Sequence, residues 1–164
     1  MPGTPEIVTR VQQPYAAVRA HVTMAELGAL GGRLGEVFGW LGARGITPAG
    51  PPFFRYNVID MARELEVEAG VPIGSEVAGD DSIVTGVLPA GRYVTVTHVG
   101  HPSELINATR DLLAWADEQG LRWDMSPAEA GERWGCRLES YLTDPAEEPD
   151  MHKWATELSF RLAG

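Results

Sequence analysis

Between Cys136 and Leu142 the chain reads Cys-Arg-Leu-Glu-Ser-Tyr-Leu. On a β-strand, successive side chains point to opposite faces. Arg137, Glu139 and Tyr141 then share one face, while Cys136, Leu138, Ser140 and Leu142 share the other. If the polar face closes a cavity, a carboxylate stands beside an aromatic ring in a partly desolvated place. Burying an unpaired carboxylate is costly and raises its pKa, so such a group wants a cation or a proton donor. The alternatives at this point are a solvent-exposed Glu139, or one paired with Arg137 or Arg55.

Aromatic residues could complete such a site. Of the five tryptophans, Trp115, Trp123, Trp134 and Trp154 fall late in the chain and only Trp40 falls early. Aromatics grouped around one carboxylate form a cage for an organic cation, each cation–π contact being worth roughly 0.5–2 kcal/mol. Other chemistries lack their residues. There is no glycine-rich phosphate loop, no His-Glu-x-x-His and no cysteine pair. His98, His101 and Glu104 are close in sequence, but a strand position and a helix entry do not converge on a metal, and none is expected. No cofactor is expected either. Cys136 is the only cysteine, which excludes an intramolecular disulfide, fits a reducing cytoplasm, and reads as a core thiol.

The 164 residues carry a net charge of −10. That disfavours direct nucleic-acid binding, which needs clustered Lys and Arg, and favours cations in the surrounding field. With 44% apolar and 22% charged residues, the composition is that of a soluble domain with a sizeable core. No apolar run is long enough to span a membrane, and no signal peptide is visible at the N-terminus. The expectation is a single cytoplasmic domain over residues 1–164.

The elements that would position Glu139 are written twice. Tyr15–Leu27 and Arg92–Leu105 are both apolar runs that pass through His-Val and enter a helix by way of Glu-Leu. The offset is 77 residues at His21/His98 and 78 at Glu26/Glu104. Phe54–Asp60 echoes Leu138–Asp144, and Glu64–Val67 echoes Glu157–Phe160. This is a duplicated module, and a site is expected where the copies meet. Module one covers about residues 5–74 and module two about 82–164. Strand alternation through Val18, Ala20 and Val22 predicts a half-buried strand. A helix is predicted over 24–44, with Leu27, Leu30, Leu34, Val37, Phe38 and Leu41 as its apolar stripe, ending at Gly45. Strands are predicted at 53–59 and 65–73. In the second copy, strand 93–99 leads through an N-cap at Ser103 into a helix with Leu105, Thr109, Leu112, Leu113 and Ala116 buried. A loop around Ser126-Pro127 and strands 136–143 and 154–162 follow. The predicted fold is α+β: tandem pseudo-twofold strand-helix-strand-strand modules, with an antiparallel sheet and two main helices on one face. The echo sets Arg55 and Asn57 opposite Glu139 and Tyr141, with Phe53 beside them.

Pro89–Gly100, Leu112–Trp115 and the Leu-Glu-Ser-Tyr-Leu-Thr-Asp-Pro run at 138–145 resemble the GyrI-like family, which includes gyrase-inhibitory proteins and the effector-binding domains of multidrug-responsive regulators. The resemblance extends over about residues 5–162. It implies a cleft between two modules that takes bulky, often cationic aromatic molecules. The family's charge anchor, a Glu on a central strand, matches Glu139. Tyr141 and Trp115 follow by pattern as ligand-binding residues, and Phe53, Asn57 and Trp134 follow from strand position. The chain has no segment for a DNA-binding helix-turn-helix, so a stand-alone module is expected.

The reading is a multidrug-binding module for hydrophobic or cationic small molecules. Some members of the family hydrolyse cyclopropane-bearing, DNA-alkylating natural products, and in that case Glu139 and Tyr141 become the catalytic pair. An acidic surface that docks on a basic protein partner, as in gyrase inhibition, is the third reading.

Overall fold

A computed structural model describes residues 3–60, 63–128 and 131–163. In chain order the elements are β1 (Glu6–Arg10), β2 (Gln13–Val22), α1 (Leu27–Gly32), α2 (Leu34–Ala43), β3 (Phe53–Ile59), β4 (Leu65–Pro72), β5 (Val84–Leu88), β6 (Gly91–Val99), α3 (Leu105–Glu118), β7 (Met125–Pro127), β8 (Glu132–Trp134), β9 (Arg137–Tyr141) and β10 (Ala155–Arg161). The fold is α+β. Ten strands form one curled antiparallel sheet in the order β1-β6-β10-β9-β3-β4-β2-β5, with the β7–β8 hairpin joined to β3.

The helices pack on one face of this sheet. Their buried residues, Leu30, Val37 and Leu41 from the first pair and Ala108 and Leu112 from α3, meet Val18, Val67, Ala69, Val94, Val96 and Leu158 from the strands. The opposite face has its own smaller core of Tyr15, Ala17, Phe53, Leu88, Tyr93, Cys136 and Leu138. Alternation along the strands produces both layers: Ala16 and Val18 face the helices while Tyr15 and Ala17 face away.

The single helix expected over 24–44 is three pieces. A 3-10 turn at Met24–Glu26 leads into α1, and a turn at Arg33 separates α1 from α2. The run Gly28, Gly31, Gly32, Gly35 explains the break, since each glycine weakens a helix by about 1 kcal/mol against alanine. Phe38, expected in the apolar stripe, is exposed. The first helical region ends as predicted at Gly45, and α3 ends in the same way at Gly120, with φ of 68° and 70°. At each end the following amide reaches back, Ile46 to the Leu41 carbonyl and Leu121 to the Ala116 carbonyl, which satisfies carbonyls the helix leaves free.

The two helix entries are built alike. The Glu26 carboxylate accepts from the Thr23 amide at 2.8 Å, and the Glu104 carboxylate accepts from the His101 amide at 2.8 Å. His101, not Ser103, is the N-cap, and its ring nitrogen accepts from the Ser103 amide. The offset of 78 is therefore the structural one. The match of His21 with His98 is corrected: His21 is exposed and pairs with Glu66, whereas His98 is buried on the helix side.

Two pairings escaped the sequence. β5 hydrogen-bonds to β2, and β1 hydrogen-bonds to β6, so the outer strands are exchanged between the halves. The segment expected as a loop around Ser126-Pro127 contains the β7–β8 hairpin, with Val58 opposite Arg133.

Candidate functional site

β9 and β3 lie side by side at the centre of the sheet, one from each half. Their register sets Phe54 opposite Glu139, with Phe53 opposite Ser140 and Arg55 opposite Leu138. The helix-facing side of this seam therefore presents Phe54, Tyr56, Arg137, Glu139 and Tyr141. Above it, the two helix entries stand apart and leave a cavity of about 450 Å³, within the range of small-molecule sites.

The walls come from both copies of the module. The first helix entry supplies Met24, Leu27 and Gly28, and the second supplies Pro102, Leu105, Ile106 and Thr109. Met24 with Pro102, Leu27 with Leu105 and Gly28 with Ile106 are each 78 residues apart. The sheet supplies the floor, with Ile59, Leu65 and Phe160 beside the seam residues. Phe54 packs edge-on against Tyr141, ring centroids 5.4 Å apart at 89°, and against Tyr56 at 6.3 Å and 76°.

Glu139 and Arg137 are the only formally charged residues that line this cavity among the described residues. The Tyr141 hydroxyl donates to Glu139 Oε1 at 2.6 Å. Burial holds the Glu139 carboxyl above the usual carboxylate range, opposed by that hydrogen bond and by the Arg137 guanidinium. Burial likewise raises the Tyr141 and Tyr56 phenols well above their ordinary value, and the Glu139 charge adds to it. Both phenols are therefore donors at neutral pH. The Arg137 guanidinium lies over the rings of Phe160 and Trp134, at 4.5 and 4.7 Å. Burial pushes its pKa down to about 10, against the attraction of Tyr56, Glu132 and Glu139, so it remains a cation at neutral pH.

Such a cavity can do two things chemically. It can hold a flat apolar ligand with a positive or proton-donating group against Glu139, because stacking and charge attraction tolerate varied shapes. It can also move a proton, since a carboxyl group with a raised pKa is suited to general acid–base work near neutrality.

The structure brings Glu139 and Tyr141 together at this cavity. The other expected site residues lie elsewhere. Phe53 faces the opposite side of the sheet, in the core with Tyr15 and Leu138. Asn57 sits where the β3–β4 register shifts between Tyr56 and Val58, and its amide donates to Glu68 at 2.6 Å. Asn57 follows Tyr56 on the strand and so points to the opposite face, the one that Arg55 occupies. Trp115 packs against the helix-side core outside the cavity lining. Trp134 forms a cluster with Trp123 and Phe160, all centroids 5.7 Å apart, one layer behind Arg137. Arg55 is also taken: it donates to Tyr15, which donates to the buried Glu68. Its charge is spent on the opposite face and does not pair with Glu139.

Sequence reasoning missed Phe54, Tyr56 and the helix-entry residues. The repeat aligned Arg55 with Glu139, one position from the true neighbour, Phe54. Extending the offset of 78 forward from Glu26 and Glu104 would have found Leu27 and Leu105. Among the described residues no cluster of His, Cys, Asp or Glu could hold a metal ion, and no helix is long and apolar enough to cross a membrane.

The same fold occurs in solved structures. The EcmrR C-terminal domain superposes with a TM-score of 0.78 at 20% identity, over 98% of this chain and 98% of that one. In the EcmrR–DNA complex the match covers 97% of this chain (TM-score 0.77, 20% identity), which spans 57% of the EcmrR chain. SAV2435 bound to tetraphenylphosphonium gives 0.68 at 8% identity, over 98% and 94% of the two chains. A hydrolase from Listeria innocua gives 0.64 at 16% identity, over 98% and 92%. At these identities the likeness is one of fold. A comparison with curated protein sequences finds no match. The family model for the GyrI-like small molecule binding domain matches residues 3–163, and the chain belongs to that family.

Proposed function

We propose that this protein binds bulky aromatic small molecules, cationic ones among them, in the cavity between its two helix entries, with Glu139 as the charge anchor. The observation that carries this reading is a carboxylate held by Tyr141 at the aromatic floor of a cavity of about 450 Å³. Phe54, Tyr56 and Tyr141 offer ring faces and edges. Glu139 supplies the negative charge that a desolvated cation needs. SAV2435, of the same fold, holds tetraphenylphosphonium, which supports a cationic ligand class here. Such a module would sequester drugs in the cytoplasm or act as the sensing part of a regulator. Replacing Glu139 with Gln tests the anchor: it should weaken cationic dyes far more than neutral ones, and equal loss for both would remove it.

A second reading is hydrolysis. It is favoured by the raised pKa of Glu139 beside the Tyr141 phenol and by the Listeria innocua hydrolase of the same fold. Glu139 would take a proton from an attacking water while Tyr141 polarises a substrate oxygen. A cyclopropane-bearing alkylator would then be recovered with its ring opened by addition of water. Binding alone returns it unchanged.

A further inference from the structure

The cavity is not simply an anionic trap. Its charged lining is one carboxylate and one guanidinium, and the two form no ion pair within 4.0 Å. Arg137 and Glu139 are two positions apart on β9 and share a face, which separates their Cα atoms by about 7 Å along the strand. Both therefore look into one cavity as separate poles. No hydrogen bond or ion pair from any described residue occupies the Arg137 guanidinium. Its contacts are with the faces of Trp134 and Phe160, which hold the plane and leave its N–H donors free. A half-buried guanidinium whose N–H donors have no protein acceptor can take one from a ligand.

A purely cationic guest would meet this guanidinium as a like charge. A guest with an acceptor several ångströms from its cationic or donor group would satisfy both poles. We propose that Arg137 is the specificity-determining residue of this site. It selects aromatic ligands that carry a carbonyl, phenolate or carboxylate oxygen as well as a positive or donor group, over permanent cations that lack an acceptor. The inference rests on the cavity being the ligand site and names the class of ligand it prefers.

The test uses one dye skeleton in two charge states: a rhodamine free acid, which carries a carboxylate, and its methyl ester, which does not. Both are titrated by fluorescence into the wild type, Arg137→Met, Arg137→Lys and Glu139→Gln. The wild type should prefer the free acid by about tenfold, the scale of one charged contact in a partly desolvated site. Arg137→Met, which keeps an apolar stem against Trp134 and Phe160, should abolish or invert that preference. Arg137→Lys should restore part of it. Glu139→Gln should weaken both dyes and leave the free-acid preference in place or increased. If Arg137→Met melts lower but keeps the wild-type acid-to-ester ratio, Arg137 is a structural stack and the inference is overturned while the site stands. If neither dye binds the wild type, the proposed site and this inference fall together.

Discussion

The Tyr141 hydroxyl donates to Glu139 Oε1 at 2.6 Å, a bond between two side chains on the same face of one strand, made at the floor of a cavity. With the Tyr56 hydroxyl as a second partner, it helps to hold the carboxylate in place. It also lowers the cost of ionisation where burial raises it. A hydrogen bond to a charged group is worth about 1.5–3 kcal/mol.

Tyr141→Phe should therefore move the acid limb of cationic-dye binding to higher pH. The loss of affinity should be larger on the acid side of the profile than on the alkaline side. In a Glu139→Gln background the same substitution should add little, since the partner is already neutral. Equal effects in both backgrounds would mean that Tyr141 touches the dye and does not act through Glu139.

The raised Glu139 pKa also has a stability consequence. The unfolded chain ionises first as pH rises past about 4.5, the ordinary value, while the folded carboxyl holds its proton longer. The folded state then binds more protons, so stability falls as pH rises through that window. Glu139→Gln should remove this slope and melt higher at pH 7, by about 2–4 °C for each kcal/mol relieved. A lower melting temperature at pH 7, with no change at pH 4, would contradict the assigned environment.

Gly28 lines the cavity where the second copy has Ile106, and a Cβ built there meets nothing within 4 Å. Gly28→Leu should stabilise α1 by roughly 0.5–1 kcal/mol while filling part of the space a ligand needs. Thermal melts and dye titration should move in opposite directions. Unchanged dye affinity would place the ligand elsewhere.

Trp134 and Trp115 separate support from contact. Trp134 is buried in the cluster under Arg137, so Trp134→Ala should cost about 3–5 kcal/mol. Trp115 lies outside the cavity lining, and Trp115→Phe should leave dye affinity within about twofold. A tenfold loss in Trp115→Phe, with folding intact, would restore it as a ligand contact.

Much of this arrangement could be read in the chain because strand alternation is a local rule. The parity of Arg137, Glu139 and Tyr141 against Leu138 and Ser140 needed only the sequence of β9. The doubled helix entry needed only the two Glu-Leu steps. What escaped was non-local. Nothing in Arg55 or Phe54 reveals which one stands across from Glu139, because register between strands from different halves is set by packing around them. The bulge at Asn57 reverses parity midway along β3, and no glycine or proline marks it. The exchange of β1 and β5 between the halves depends on how the sheet curls. Tryptophans drew attention as cage residues, yet Trp134 serves the core beneath the floor, while the tyrosines and Phe54 face the opening.

The most direct measurement is fluorescence titration of the wild type and Glu139→Gln with a cationic aromatic dye and a neutral one of similar size, the dyes then being recovered for mass analysis. The account predicts cationic-dye binding that falls by at least about tenfold in the variant, a neutral dye that is little affected, and both dyes intact. Equal weakening of the two dyes, or no binding by the wild type, would contradict Glu139 as the charge anchor of a small-molecule site.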